Sequence, residues 1–127
     1  MTFKRIELYR GGSQPRKNAY WRIIKNKCPL LTICISADII QKSSIDKGDN
    51  VHLSHDPDND LLLIIRAPFS SRYTRCVGST KNSANCTRVI KAAYKGPITE
   101  IFRAERGQLI VINITDDSLL FEMVPGE

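Results

Sequence analysis

No apolar run in this chain approaches the roughly twenty residues that a membrane-crossing helix needs. The opening MTFKRIELYRGG is charged and strand-like, and lacks the apolar core of a secretory leader. These two absences set the expectation of a cytoplasmic protein with no membrane partner. Histidine is scarce, with only His52 and His55. No Ser/His/Asp grouping and no carboxylate pair has an informative spacing, so the sequence points away from an enzyme. None of the four cysteines, Cys28, Cys34, Cys76 and Cys86, stands in a Cys-x-x-Cys pair, so the spacing of zinc ribbons is missing. Cys34, between Ile33 and Ile35, reads as a small buried hydrophobe. Cys76 and Cys86 are placed to face one another across a hairpin, as thiols in a reducing compartment. The run Asp56-x-Asp58-x-Asp60 imitates the start of a calcium loop but lacks its glycine and distal glutamate, so a turn is the better reading. No metal and no cofactor is expected. The Gly-Ser pairs at Gly12-Ser13 and Gly78-Ser79 read as loop elements rather than self-processing bonds.

What is present is positive charge. The 127 residues, enough for one domain with its own core, carry a net charge of +6. That charge is unevenly spread. Residues 1–36 and 66–95 are each net +7, whereas 37–65 and 96–127 are each net −4. The arrangement suggests basic hairpins gathered on one face and acidic segments building the frame, and a single-sign field attracts an anionic partner.

Short β-branched runs separated by turn residues predict a mainly β chain. Residues 1–10 read as a strand, broken by Gly11-Gly12-Ser13-Gln14-Pro15. A cationic strand falls within Arg16–Lys27, and Leu30–Ile35 is a buried strand. Ser36 is positioned to cap a helix over about 36–44, with Asp38 in its first turn. A turn at Gly48 precedes a half-buried strand from Val51, and Leu61–Ile65 returns after the acidic turn. In the second half, Arg72–Val77 and Cys86–Ala92 read as the arms of a hairpin around a polar loop. Pro97 opens a helix over about 97–106 that Gly107 ends. Leu109–Ile114 and Leu119–Val124 are the last strands.

The two parts echo one another. With Gly48 set over Gly107, Ile39 meets Ile98, Val51 meets Ile110, Leu53 meets Ile112 and Asp58 meets Asp117. The expected organisation is a single domain, 1–127, with pseudo-symmetric halves at about 1–66 and 67–127.

The segment Thr32-Ile33-Cys34-Ile35-Ser36-Ala37-Asp38-Ile39-Ile40, followed by Ile45-Asp46-Lys47-Gly48-Asp49-Asn50-Val51, resembles the AbrB-like (SpoVT/AbrB) transition-state regulators, with their strand, short helix and GI-x-x-GD-x-V signature. Ser36 stands where that family has proline, Ser44 where it often has glycine, and the second repeat lacks the Asp after its Gly107. The resemblance implies a swapped-hairpin, double-psi-like β-barrel that presents basic residues to DNA. Family members build it as dimers, so here one chain would supply both halves as a pseudodimer.

Charge nominates Arg10, Arg16, Lys17, Arg22, Lys25, Lys27, Arg72, Arg75, Lys81, Arg88 and Lys91 as the DNA-binding residues. Several stand beside aromatics, as in Tyr20-Trp21-Arg22 and Arg72-Tyr73-Thr74-Arg75, although Trp21 itself reads as core. The leading expectation is a small transcriptional regulator binding double-stranded DNA, as a monomeric pseudodimer or a homodimer. The alternative is a protein-binding module, such as a phage-type inhibitor of a host enzyme or an antitoxin. A third is an accessory single-strand binder.

Overall fold

The computed structural model describes residues 2, 3, 6, 19–79 and 87–126. In chain order the elements are β1 (Ala19–Ile24), β2 (Leu30–Ile35), α1 (Ala37–Ile40), β3 (Asn50–Asp56), β4 (Leu61–Ala67), β5 (Arg75–Cys76), β6 (Gly78–Ser79), β7 (Arg88–Ala93), α2 (Ile98–Ile101), β8 (Arg106–Ile114) and β9 (Ser118–Pro125). The strand expected over residues 1–10 lies outside the described residues, apart from Thr2, Phe3 and Ile6.

All the strands lie in one antiparallel sheet, in the order β5-β3-β4-β9-β8-β1-β2-β7-β6. Its two edges, β5 and β6, are separated only by Val77. The sheet therefore curls round into a nearly closed barrel, with residues 75–79 acting as one broken strand. At the break the backbone of Val77 turns to the 46–49 loop, donating to Asp49 O at 2.8 Å and accepting from Gly48 N at 2.9 Å. Gly48 has a positive φ of 94°, a conformation glycine adopts without steric cost. The loop is held by Asp46 N donating to Asp49 Oδ2 and Lys47 N donating to Asp46 Oδ1.

Inward and outward positions alternate along the strands, as a pleated barrel requires, except at a bulge between Val111 and Asn113 of β8. Trp21, Leu31, Ile33, Ile35, Leu62, Ile64, Ile90, Leu109, Leu119 and Phe121 fill the interior. Exchanging β1, β2, α1, β3 and β4 for β5/β6, β7, α2, β8 and β9 leaves the pattern of neighbours unchanged. The β3–β4 hairpin lies beside β8–β9 through β4–β9, and β1–β2 lies beside β7–β6 through β2–β7. Consequently the strands from the two basic segments are adjacent, and those from the two acidic segments form the other side.

The helices are shorter than expected, each a single turn: Ala37–Ile40 rather than 36–44, and Ile98–Ile101 rather than 97–106. Ser36 takes the cap position through its carbonyl, which accepts from Ile39 N and Ile40 N, while its hydroxyl makes no cap bond. Arg72–Val77 is not a continuous strand either, because only Arg75–Cys76 pairs before the break.

Gly107 does not end a helix. It lies within β8, directly opposite Trp21 of β1. Nor does the alignment of Gly48 with Gly107 match the two halves. Val51 is buried, whereas Ile110 is 46% exposed and Leu109 takes the inward position. Ile112, expected to match Leu53, also faces outward. A one-residue slip in register moves a strand's side chains to the opposite face.

Among the described residues two ion pairs tie the halves at the α1 end, Arg66–Asp117 and Arg88–Asp46. Arg88 Nε donates to Asp46 Oδ1 at 2.6 Å. This contact, with the Lys47 amide, holds the Asp46 carboxyl below its ordinary value of 3.8. A depressed folded-state pKa contributes stability that is present above the unfolded value and lost as pH falls through the folded one. Asp46→Asn is therefore expected to unfold more easily than wild type near neutrality, and the gap should close on acidification. Denaturant midpoints measured at about pH 7 and about pH 2 check this; a gap that does not change would refute it.

Candidate functional site

β2 has one apolar and one mixed face. Leu31, Ile33 and Ile35 point into the core, so Thr32 and Cys34 point outward. The neighbours of Thr32 are set by register: Arg22 of β1 on one side and Lys91 of β7 on the other. Beyond Arg22, in the same row, stands Arg106 of β8. With strands about 4.8 Å apart, Arg22 and Lys91 leave the sheet roughly 10 Å from each other, with Thr32 between them.

This row crosses a surface cavity of about 580 Å³ lined by Tyr20, Arg22, Thr32, Cys34, Val89 and Lys91, with part of β5/β6. Among the described residues no Asp or Glu lines it. Thr32 is only 4% exposed, and its Oγ1, like Ser36 Oγ, has no hydrogen-bond partner among the described residues. A buried hydroxyl left unpaired is unusual, because shielding it from water costs free energy that a partner would return. Neighbouring Tyr20 is held protonated: its hydrogen bond with the Cys34 thiol, then burial, push the phenol pKa up. The cavity is thus cationic, offers hydroxyl donors and lacks acceptor charge, which suits an anion.

The expected DNA-binding residues divide into separate groups. Arg22 and Lys91, from different halves, meet at the Thr32 row. Lys25 is ion-paired with Glu105 beside it, and Lys27 is exposed in the β1–β2 turn. Arg72 and Arg75 stand at another opening, at one end of the barrel. Arg88 is drawn to Asp46 at the α1 end and does not join the face. Arg10, Arg16, Lys17 and Lys81 lie outside the described residues, as does Cys86.

The other candidates resolve simply. Trp21 is core. Asp56 accepts from Asp58 N and Asn59 Nδ2, so its carboxylate holds the β3–β4 turn. His55 pairs with Asp60 at 3.1 Å. Among the described residues no group of three His, Cys, Asp or Glu is placed to hold a metal ion, and no helix is long and apolar enough to cross a membrane.

Two residues escaped sequence reasoning. Thr32 sits in Leu30–Ile35, which reads from the sequence only as a buried strand. Its signal is a lone hydroxyl at an outward position of LLTICI, between strands that each carry an outward cation. Phe69, largely exposed like Tyr73 in the 68–74 connection, follows a proline in a segment that read only as a boundary. No family model, curated protein or solved structure matches the chain.

Proposed function

We propose that the protein binds nucleic acid through its phosphate backbone, at the outer face of β1, β2 and β7. The observation that carries this reading is the unpartnered Thr32 hydroxyl between Arg22 and Lys91. A phosphate oxygen there would accept from Thr32 Oγ1 and be flanked by a cation on each side. Neither cation makes an ion pair among the described residues. Phosphate contacts of this kind set register and most of the affinity. The duplex is the favoured form, and a regulatory role in transcription is the corresponding biological reading. The exchange symmetry of the sheet is the arrangement that a single-chain pseudodimer of the AbrB-like type would have, which supports the same proposal.

The test is fluorescence anisotropy with a labelled duplex across a salt series. Wild type is expected to bind at low salt and weaken steeply as salt rises. Thr32→Val keeps the shape and removes the hydroxyl. It should weaken duplex binding about tenfold, while stabilising the free protein by up to ~1 kcal/mol because an unsatisfied group is gone. A variant that binds as well as wild type would remove Thr32 from the site. No binding of any duplex at low salt would end the proposal.

A second reading, a protein-binding module, has its own observation. Ile110, Val111, Ile112 and Val124 are exposed on the acidic side of the barrel, beside the half-buried Leu63 and Leu120. Under this reading no duplex is bound, and the aliphatic side is the contact surface.

A further inference from the structure

The two ends of the barrel are closed by the same device and differ in how well it works. At one end α1 and the loop after it bury Ile39, Ile40 and Ile45. Ser44 N fastens this cap to Asp116 O at 2.9 Å. At the other end α2 buries none of its own residues. Ile98 and Ile101 are only partly covered, and Phe102, just past the helix, is the sole fully buried side chain of that cap. The result is a cavity of about 350 Å³ that runs from the end of the barrel toward its core. Its walls are apolar: Ile33 of β2, Leu53 of β3, Ile90 and Ala92 of β7, Ile98 and Phe102 among them. Among the described residues, the charged members of its lining are Arg72, Arg75 and Lys95, with no Asp or Glu.

We infer that this cavity is a binding site for a small amphipathic anion, an apolar body inside the barrel end with one carboxylate or similar head at Arg75 and its neighbours. Cavities that hold small ligands are mostly apolar with a few placed polar groups, and this one has that composition at the lower end of the usual size. Taking the volume of a water as a guide, it accommodates roughly a dozen non-hydrogen atoms. Charge decides the sign of the head. Three cations and no acid line the cavity among the described residues, so a neutral or cationic ligand leaves them unanswered. Arg75 is partly preorganised, because its Nη1 donates to Thr74 O at 2.9 Å. Arg72 lies over the Tyr73 ring at 4.9 Å and donates to that residue's hydroxyl at 2.7 Å, which holds both at the rim. The site is separate from the Thr32 row and does not depend on the nucleic-acid reading.

The experiment is calorimetric titration of the whole protein with decanoate, kept below its micellar range, alongside decanol and butyrate. Decanoate is expected to bind one-to-one with a dissociation constant well under about 1 mM. Decanol, lacking the charge, and butyrate, lacking the body, should each bind at least about tenfold more weakly. Arg75→Ala should lose about tenfold for decanoate and little for decanol. Ala92→Phe fills the cavity and should abolish binding; should that variant not fold, Ile98→Trp on the outer wall serves instead. Absence of saturable decanoate binding, equal affinity for decanol, or full binding by a folded cavity-filled variant would each overturn the inference.

Discussion

Replacing Gly107 with alanine is expected to cost the fold about 3 kcal/mol or more, a large share of what a domain of this size has. The reason is contact, not backbone conformation. A Cβ at position 107 would stand 2.1 Å from Trp21 Cη2 and 2.4 Å from Cζ2. The indole cannot step aside. Trp21 is fully buried, meets Phe102 edge-on with ring centroids 5.5 Å apart, and donates from Nε1 to Ala104 O at 3.1 Å. Any displacement breaks that bond and disturbs the segment that follows α2, whose Glu105 carbonyl accepts from Ile23 N at 2.6 Å. Chemical denaturation followed by far-UV circular dichroism reads the loss, in variants with and without the single tryptophan alike. Trp21→Leu should itself be costly, yet Gly107→Ala in that background should cost far less than alone. Such non-additivity identifies a direct contact. A Gly107→Ala protein within about 1 kcal/mol of wild type would show that the ring has room to move.

Reversing the charge of Arg22 and Lys91 together is expected to weaken duplex binding on the order of 100-fold at moderate salt and to flatten its salt dependence. Each cation that meets a phosphate releases a counterion, so Arg22→Ala or Lys91→Ala alone should lower the salt slope by about one. Arg22→Glu with Lys91→Glu goes further, because it places two carboxylates beside the Thr32 hydroxyl. The control is Lys42→Glu with Lys47→Glu, an equal change of charge at two exposed positions between α1 and β3. It alters net charge without touching the row, so it should cost much less. Equal losses from the control and the paired reversal would mean that overall charge, not this face, governs binding.

Much of the fold could be read from the chain because local pattern and burial agree there. Leu30–Ile35 was bounded correctly by its β-branched run and flanking turns, and Leu61 and Leu119 open or nearly open the strands expected of them. Trp21 was identified as core. The grouping of basic segments on one side followed from charge once the halves were assumed to interleave. The errors lie where two local signals competed. Gly107 looks like a helix stop because a proline and an apolar stripe precede it, but Phe102 adopts φ −103° and ψ 74° and the chain leaves the helix there. Ile110-Val111-Ile112 carries no alternation, so its register could not be chosen, and the bulge between Val111 and Asn113 shifts it again. Arg88 belongs to a basic run but meets an acid 42 residues away, a pairing that no local reading exposes.

Composition and periodicity by themselves determined that this is a mainly β chain, where most strands fall, that Trp21 is core, and that cations and acids occupy separate segments. These are properties of single segments, set by the preferences of side chains for a pleated, half-buried surface. Tertiary structure alone decided that Thr32 lies between Arg22 and Lys91, that Trp21 occupies the space a side chain at 107 would need, and that α2 leaves its end of the barrel partly open. Each of these depends on which residue stands opposite which across non-local ladders, and register is a property of pairs of strands rather than of any strand alone.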